Sequence, residues 1–297
     1  MPLNDIGGAL AQAHGFPLIL GFLAFGGMRL ATAARMKILA DVQTLNLSHL
    51  AILRLHMAST FYAMLLPGIV MGGAATWVKY VQAGASKSAA LAAVLVNRAV
   101  GLTMAASITL AAFGIEQSAS APATGAALVL AILILVMSVI GLFVRPDLIT
   151  TPFDWLATIK VGFLQKLIGK IQNALRGLKV MGAARQGQIA GIYCYAFAFE
   201  ALAIAGMWAF AEALGIDLPL ITICWLRGAV MFVQILPLAF LGLGVREVTL
   251  IGLTAAYGVA PALAVAWSLL IFAGSLLMAL IGGLVELHAL FRTKKAL

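Results

Sequence analysis

Long apolar stretches separated by short polar segments dominate the hydrophobicity pattern of the chain. A helix that crosses a membrane needs about 20 mostly apolar residues. Five uninterrupted stretches are of this kind, and they cover residues 16–34, 88–113, 124–144, 188–211 and 262–290. The pattern therefore predicts an all-α integral membrane protein, built as a polytopic helical bundle.

Two further apolar stretches are interrupted at matching positions by the sequence Leu-Pro-x4-Gly. The interrupting residues are Pro67, Gly72 and Gly73 in stretch 50–84, and Pro237, Gly242 and Gly244 in stretch 218–258. Proline removes a backbone donor and glycine weakens a helix, so each stretch should be broken at membrane depth. Paired breaks of this kind point to a transport site between two internal repeats.

The charges of the loops predict how these segments are oriented, because basic residues are concentrated in cytoplasmic loops. Residues 145–185 carry seven basic side chains against two acidic ones, whereas the loops near Glu116 and Glu212 are acidic. The basic segment should be cytoplasmic and the acidic loops should face outwards. The first interrupted stretch should then dip into the membrane from the cytoplasmic side, and the second from the outer side.

These orientations predict two re-entrant (broken) helical hairpins in an inverted-topology repeat within a single domain, 1–297. Repeat one covers about 16–113 and repeat two about 188–290, joined by the connecting span 124–144. The alternative is that both interrupted stretches cross fully, which gives more spans and a different pseudo-symmetry. Segment 153–185 has apolar residues at helical spacing, so it is either an amphipathic helix on the inner membrane surface or a helix packed on the bundle.

Composition and charge support the membrane assignment. The 297 residues are 63% hydrophobic and only 10% charged, with a mean hydropathy of +1.08, whereas soluble domains are about 25% charged. The net charge of +9 is attributed to cytoplasmic loops rather than to nucleic-acid binding. Cys194 and Cys224 lie far apart in apolar segments, without the spacing of a metal or redox site.

Charged residues at membrane depth are the candidate binding groups. Arg98 lies well inside its span, Glu200 lies near the centre of another, and Arg246 and Glu247 directly follow the second glycine break. An arginine at the bilayer centre costs about 2.5–3.5 kcal/mol unless it meets a partner or water. Each residue therefore has two interpretations, a structural ion pair within the bundle or a group that binds substrate.

The helix breaks suggest what these groups bind. A short helix should restart after each break, near Ala74 and near Val245, and a helix N-terminus carries free N–H groups and partial positive charge. Arg98 and Arg246 would add bidentate donors. The combination predicts a site for an anion such as a phosphate headgroup, with Glu247 balancing the charge or binding a cationic part of the headgroup.

The motif sequences resemble those of a known family. Segment 240–247 reads Phe-Leu-Gly-Leu-Gly-Val-Arg-Glu, which is similar to the Gly-Gly-Leu-Gly-Val-Arg-Glu signature of the lysylphosphatidylglycerol synthase transmembrane (flippase-like) family. Leu-Pro at 66–67 with Gly-Gly at 72–73, followed by Asn97-Arg98, resembles its Leu-Pro-x-x-x-Gly-Gly-Asp and Asp-Arg motifs. The resemblance implies a membrane domain that translocates lipid, with these motif residues, Asn97 included, at the substrate site.

The chain departs from the family's pattern in the first motif. Ala74 and Asn97 stand where the family has aspartates, and Trp77 stands where a basic residue is usual. Two acids are therefore missing from one half of the site. Their absence argues against proton coupling at these positions and against a preference for cationic headgroups.

The first functional hypothesis is translocation of a phosphate-bearing lipid, such as an aminoacylated phospholipid or another anionic or zwitterionic lipid, across the bacterial inner membrane. The C-terminus should be cytoplasmic. The alternative is a non-transporting membrane partner that docks a lipid-modifying or glycosyl-transferring enzyme through basic residues 160–185. A lipid-modifying enzyme is a third option that the lack of a catalytic motif disfavours. The expected partners are membrane lipids, such an enzyme and a second copy of the chain, with no cofactor, metal or nucleic acid.

Overall fold

The computed structural model of the chain describes residues 3–65, 69–117, 121–144, 182–235 and 244–294. Its α-helices are α1 (Leu3–Ala11), α2 (Gly15–Val42), α3 (His49–Leu65), α4 (Ile69–Gln82), α5 (Lys87–Glu116), α6 (Ala121–Val139), α7 (Gln186–Ala213), α8 (Leu220–Ile235), α9 (Val245–Thr254) and α10 (Pro261–Lys294). A π-helical segment, Ile140–Val144, continues α6, and a 3₁₀ turn, Ala255–Tyr257, follows α9. The predicted all-α fold is confirmed.

Helices α2, α5, α7 and α10 are long and apolar enough to cross a membrane. They contain the predicted spans 16–34, 88–113, 188–211 and 262–290. Their exposed side chains include large apolar ones such as Phe16, Leu23 and Leu284, as expected of surfaces that face lipid. The fifth predicted span, 124–144, corresponds to α6 and its π-helical continuation, whose apolar part is shorter. The protein is thus a polytopic membrane protein.

Each interrupted stretch contains two short helices, α3 with α4 and α8 with α9. The second helix of the later pair begins at Val245, as predicted, but α4 begins at Ile69 instead of near Ala74. The prediction of a glycine break at Gly72 and Gly73 is therefore wrong, since both lie inside α4. A glycine inside a helix costs only about 1 kcal/mol, which packing of α4 against α3 and α5 outweighs. Pro67, Pro237 and Gly242 lie outside the described residues.

The contacts between helices follow one scheme in both halves of the chain. Each half has a long helix, a pair of short helices and a second long helix, in that order. The two first long helices, α2 and α7, pack along each other. The short helix α3 packs on α10, and correspondingly α8 packs on α5. Each half thus holds its first short helix against the last helix of the other half, as two halves related by a twofold axis would.

Helices α2 and α7 run antiparallel. The N–H of His14, which precedes α2, donates to the carbonyl of Ala213 at the end of α7 (2.8 Å). Near the opposite ends, a Cβ atom on Gly191 would lie 2.8 Å from Ile38. A twofold axis that exchanges antiparallel helices must lie across them, so these contacts are those expected of an inverted repeat. Entry of the two hairpins from opposite membrane faces stays a prediction.

A glutamate at the end of α5 ties that helix to the second pair of short helices. The carboxylate of Glu116 accepts hydrogen bonds from Thr222 (2.5 Å) and from the indole N–H of Trp225, both on α8. The hydroxyl of Tyr257, after α9, donates to the same carboxylate (3.0 Å). Three donors around one carboxylate therefore hold the end of α5 against the later hairpin.

Glu286 in α10 makes the corresponding connection in the other half. It accepts a hydrogen bond from Tyr62 of α3 (3.1 Å) and forms an ion pair with Lys79 of α4. Glu116 and Glu286 are 170 residues apart, which is also the separation of the two Leu-Pro pairs. The two glutamates thus occupy corresponding places in the two halves, and each binds the pair of short helices of the opposite half.

The buried apolar side chains form two clusters, with a polar layer between them. One cluster contains the second hairpin, and along α2 and α7 it reaches Met28 and Ala203. The other contains the first hairpin, and along the same helices it begins at Ala33 and Ala196. The segments of α2 and α7 between the clusters carry Arg29 and Glu200, and the site lies around these two residues.

Candidate functional site

A buried carboxylate lies at the centre of the polar layer. Glu200, in the middle of α7, is only 2% exposed. Its Oε2 atom pairs with Nη2 of Arg227 on α8 at 3.5 Å. Arg35, on α2, is close enough for its charge to act on the same carboxylate. Glu200 therefore links three helices through two arginines, which matches the structural interpretation of this residue as an ion-pair partner.

Arg35 connects this centre to the first motif. Its Nε atom donates to Oδ1 of Asn97 on α5 (2.8 Å). The next residue, Arg98, lies against α4, with its Nη2 atom 3.3 Å from where a Cβ atom on Gly72 would be. Gly73 also faces α5. Gly72 thus leaves room for the Arg98 guanidinium, and the predicted residues Gly72, Gly73, Asn97 and Arg98 come together.

The second motif forms a separate network at the start of α9. Gly244 has a φ of +88°, a left-handed conformation that favours glycine. Its N–H donates to Oε2 of Glu247 (2.5 Å), so this glutamate caps the helix. The Oγ atom of Ser268 donates to Oε1 of Glu247 (2.6 Å) and accepts from Nε of Arg246 (2.6 Å). Glu247 therefore serves to position Arg246, whose Nη2 atom lies 3.4 Å from it.

Arg246 lines a cavity of about 180 Å³ between α2, α7, α8 and α10. Arg29 of α2 and Arg227 of α8 line the same cavity. Its neutral polar lining residues are Gln234 and Ser275, and apolar residues make up the rest of the wall. Mostly apolar walls with a few converging polar groups are typical of small-molecule sites.

Several buried nitrogen atoms near the site have no hydrogen-bond partner among the described residues. They are Nε of Arg29, Nη1 of Arg35 and both ring nitrogens of His56. His56 lies near enough to Arg29, Arg35 and Arg98 for their charges to act on it. Helix α3, which carries His56, is packed between α2 and α10. An unsatisfied buried polar group costs about 1–3 kcal/mol, so such groups call for a ligand or water.

Sequence reasoning missed three arginines of the site. Arg29 and Arg35 lie on α2, and Arg35 directly follows the predicted span 16–34, although α2 continues to Val42 and buries it. Arg227 lies in the second interrupted stretch, on α8. The available signal was an arginine inside otherwise apolar sequence, the same signal that singles out Arg98.

Comparison with known proteins agrees with these observations. Residues 3–283 match the model of a family described as lysylphosphatidylglycerol synthase TM region. A comparison with curated proteins finds no match. The matched range contains both pairs of short helices and every charged residue of the site. It includes Glu116 but ends before Glu286. The chain belongs to the lysylphosphatidylglycerol synthase TM region family.

Proposed function

We propose that the protein translocates a phosphate-bearing lipid across the bacterial inner membrane. The observation that carries the proposal is the cavity inside the helical bundle lined by Arg29, Arg227 and Arg246. Arginine is the side chain best suited to a phosphate oxygen pair, because its planar donors match that geometry. Membership in a family of lipid-related membrane domains supports a lipid as the source of the phosphate.

The arrangement of the two halves supports a rocking mechanism. Arg29 and Glu200 lie in the polar layer between the two apolar clusters, and the apolar lining of the cavity belongs mostly to the cluster of the second hairpin. Movement of one cluster relative to the other would open this layer to alternate sides of the membrane, as in transporters built from inverted repeats. The contacts of Glu116 and of Glu286 with the opposite half would then break in turn, one on each side of the membrane. The basic tail after residue 290 supports a cytoplasmic C-terminus.

A lipid-facing groove supports a path for the acyl chain. The groove has a volume of about 460 Å³ and lies on α2 and α10, which also line the cavity. Its lining is apolar and consists of Ile19, Phe22, Leu23, Gly26, Gly27, Leu30, Leu277 and Met278. Phe25 lines the cavity and contacts Gly274 of α10, where a Cβ atom would lie 3.0 Å from its ring. A lipid could keep its chains in the groove while its headgroup passes Phe25.

Substitution Arg246→Ala tests the role of the cavity. We expect it to slow lipid transport in proteoliposomes about 10- to 100-fold, because hydrogen bonds to charged groups contribute about 1.5–3 kcal/mol. Transport is measured as the loss of headgroup-labelled lipid from the leaflet accessible to a quencher. Arg54→Ala is the matched control, since Arg54 is an exposed arginine of α3.

Unchanged transport by a normally folded Arg246→Ala protein would refute the role of Arg246. If the unaltered protein moves no lipid, the result supports the alternative, a membrane partner that docks a lipid-modifying or glycosyl-transferring enzyme through residues 160–185. Charge reversal in that basic segment should then abolish recovery of the enzyme.

Substitution Gly26→Leu tests the groove. A Cβ atom at Gly26 meets nothing within 4 Å, so a side chain can be added there, and a leucine would occupy the groove that Gly26 lines. We expect transport to slow several-fold while thermal stability is kept or rises slightly, because leucine favours helix more than glycine does. Gly187→Leu is the control, since Gly187 is also unhindered but lies in the first turn of α7, away from the groove. Equal transport by both variants would exclude the groove as the lipid path.

A further inference from the structure

The charges around the cavity are not balanced. Arg29, Arg227 and Arg246 line the cavity, and the charges of Arg35 and Arg98 act on the neighbouring residue His56, as that of Arg29 does. Among the described residues, the carboxylates that face them are those of Glu200 and Glu247. Five positive and two negative charges leave an excess of three, and His56 beside them adds no negative charge. Buried charges without a partner are costly, so the site is suited to a strongly anionic ligand.

Arg29 has the least compensation of the three arginines that line the cavity. Arg227 is paired with Glu200, and Arg246 is held by Glu247 and Ser268. The Nε atom of Arg29 is buried and has no hydrogen-bond partner among the described residues. Arg29 therefore offers its guanidinium donors to whatever occupies the cavity.

The size of the cavity limits what that occupant is. Pockets that enclose a drug-sized molecule are about 300–1,000 Å³, whereas this cavity is about 180 Å³. A compact group such as a phosphate fits within this volume. An aminoacyl headgroup would also bring a positive charge into a layer that already has an excess of three, which disfavours the aminoacylated phospholipids of the first hypothesis.

We propose that the cavity binds a phosphate group with two or more negative charges, a phosphomonoester or a diphosphate, in preference to a singly charged phosphodiester, and that Arg29 determines this preference. A phosphomonoester carries a charge of about −1.5 to −2 at pH 7 and presents three acceptor oxygens. Three guanidinium groups, from α2, α8 and α9, line the cavity that would hold those oxygens. The assignment of this group to a lipid rests on the proposed function.

Binding to the purified protein in detergent tests the preference. Three probes are used: short-chain phosphatidic acid (a phosphomonoester), short-chain phosphatidylglycerol (a phosphodiester) and inorganic pyrophosphate. The affinity of each is measured by calorimetry. We expect phosphatidic acid to bind about tenfold or more tightly than phosphatidylglycerol. Arg29→Gln should weaken phosphatidic acid about 10- to 100-fold, the range expected for a charged hydrogen bond, and change phosphatidylglycerol much less. Arg54→Gln should change neither affinity.

The variant Arg29→Lys covers the case in which the glutamine variant does not fold. Lysine keeps the charge but not the bidentate fork, so its affinity for phosphatidic acid should lie between those of the unaltered protein and of a protein without charge at this position. Unaltered phosphatidic acid binding by a folded Arg29 variant would overturn the proposal. So would equal affinities of the unaltered protein for phosphatidic acid and phosphatidylglycerol.

The remaining outcomes distinguish a lipid from a free anion as the source of the phosphate. They also distinguish failure of this inference from failure of the proposed function. Pyrophosphate that competes as well as phosphatidic acid supports the charge preference and assigns the site to a free anion. Weaker competition by pyrophosphate supports it and assigns the site to a lipid. Transport of phosphatidylglycerol without monoester preference overturns this inference but leaves translocation intact. Tight phosphatidic acid binding without transport of any lipid supports the inference and refutes translocation.

Discussion

Substitution Gly282→Ala should lower the free energy of unfolding by about 3 kcal/mol, at the upper end of the cost of overpacking. Gly282 is buried where α10 crosses α3. An added Cβ atom would overlap the carbonyl oxygen of Met57 and lie 2.8 Å from its carbonyl carbon. Both atoms belong to the backbone, so no side-chain rotation relieves the clash. The two helices must separate, and the packing between them is lost.

Thermal unfolding in detergent measures this effect. Gly252→Ala on α9 is the matched control, because a Cβ atom there meets nothing within 4 Å. The control should be slightly stabilising, since alanine is favoured over glycine in a helix by about 1 kcal/mol. Equal midpoints for the Gly282→Ala and Gly252→Ala proteins would mean that α3 and α10 are not in close contact.

The same close approach occurs at the equivalent crossing of the other half. A Cβ atom on Gly228 of α8 would overlap the side chain of Thr109 on α5, with the threonine Cβ atom 2.8 Å away. In membranes, helices associate mainly by tight packing, and small residues at the crossing permit it. Glycine at both crossings is therefore explained by the close approach of the two helices at each of them.

The spans could be predicted from the sequence because a bilayer imposes a length on an apolar helix. The ends of the spans could not be predicted in this way. The predicted span 16–34 ends before Arg35 because a basic residue usually marks the membrane surface. In the structure α2 continues to Val42, since Arg35 meets Asn97 and the charge of Glu200 inside the bundle. Those partners are 62 and 165 residues away along the chain, so no local pattern reveals them.

The candidate site was predictable only in part, for a related reason. Arg98, Glu200 and Arg246 were recognised because a charge inside a span is costly and needs an explanation. Their assignment to partners depends on which helices pack together. The role of Gly72 was misjudged because a glycine that breaks a helix and a glycine that makes room for a neighbour look alike in sequence. Only the position of the Arg98 guanidinium distinguishes the two.

Substitution Glu200→Ala should lower the free energy of unfolding by about 3–5 kcal/mol, at least as much as Gly282→Ala does. The carboxylate is buried and pairs with Arg227, and Arg35 also depends on its charge. Its removal leaves the half-buried Arg227 and the buried Arg35 without the negative charge that both of them face. Glu212→Ala on the same helix is the control, because Glu212 is exposed and should change stability by less than about 0.5 kcal/mol.

A double-mutant cycle separates the structural from the functional interpretation of Glu200. Removing both partners, with Glu200→Leu and Arg227→Met, takes away the uncompensated charge of the pair and should restore part of the stability lost in Glu200→Leu alone. A coupling of about 1–3 kcal/mol is expected for groups in contact. Restored stability together with normal transport would mean that the pair serves only the fold. Restored stability without transport would assign Arg227 and Glu200 to the lipid site, which is the result that an arginine on the cavity wall predicts.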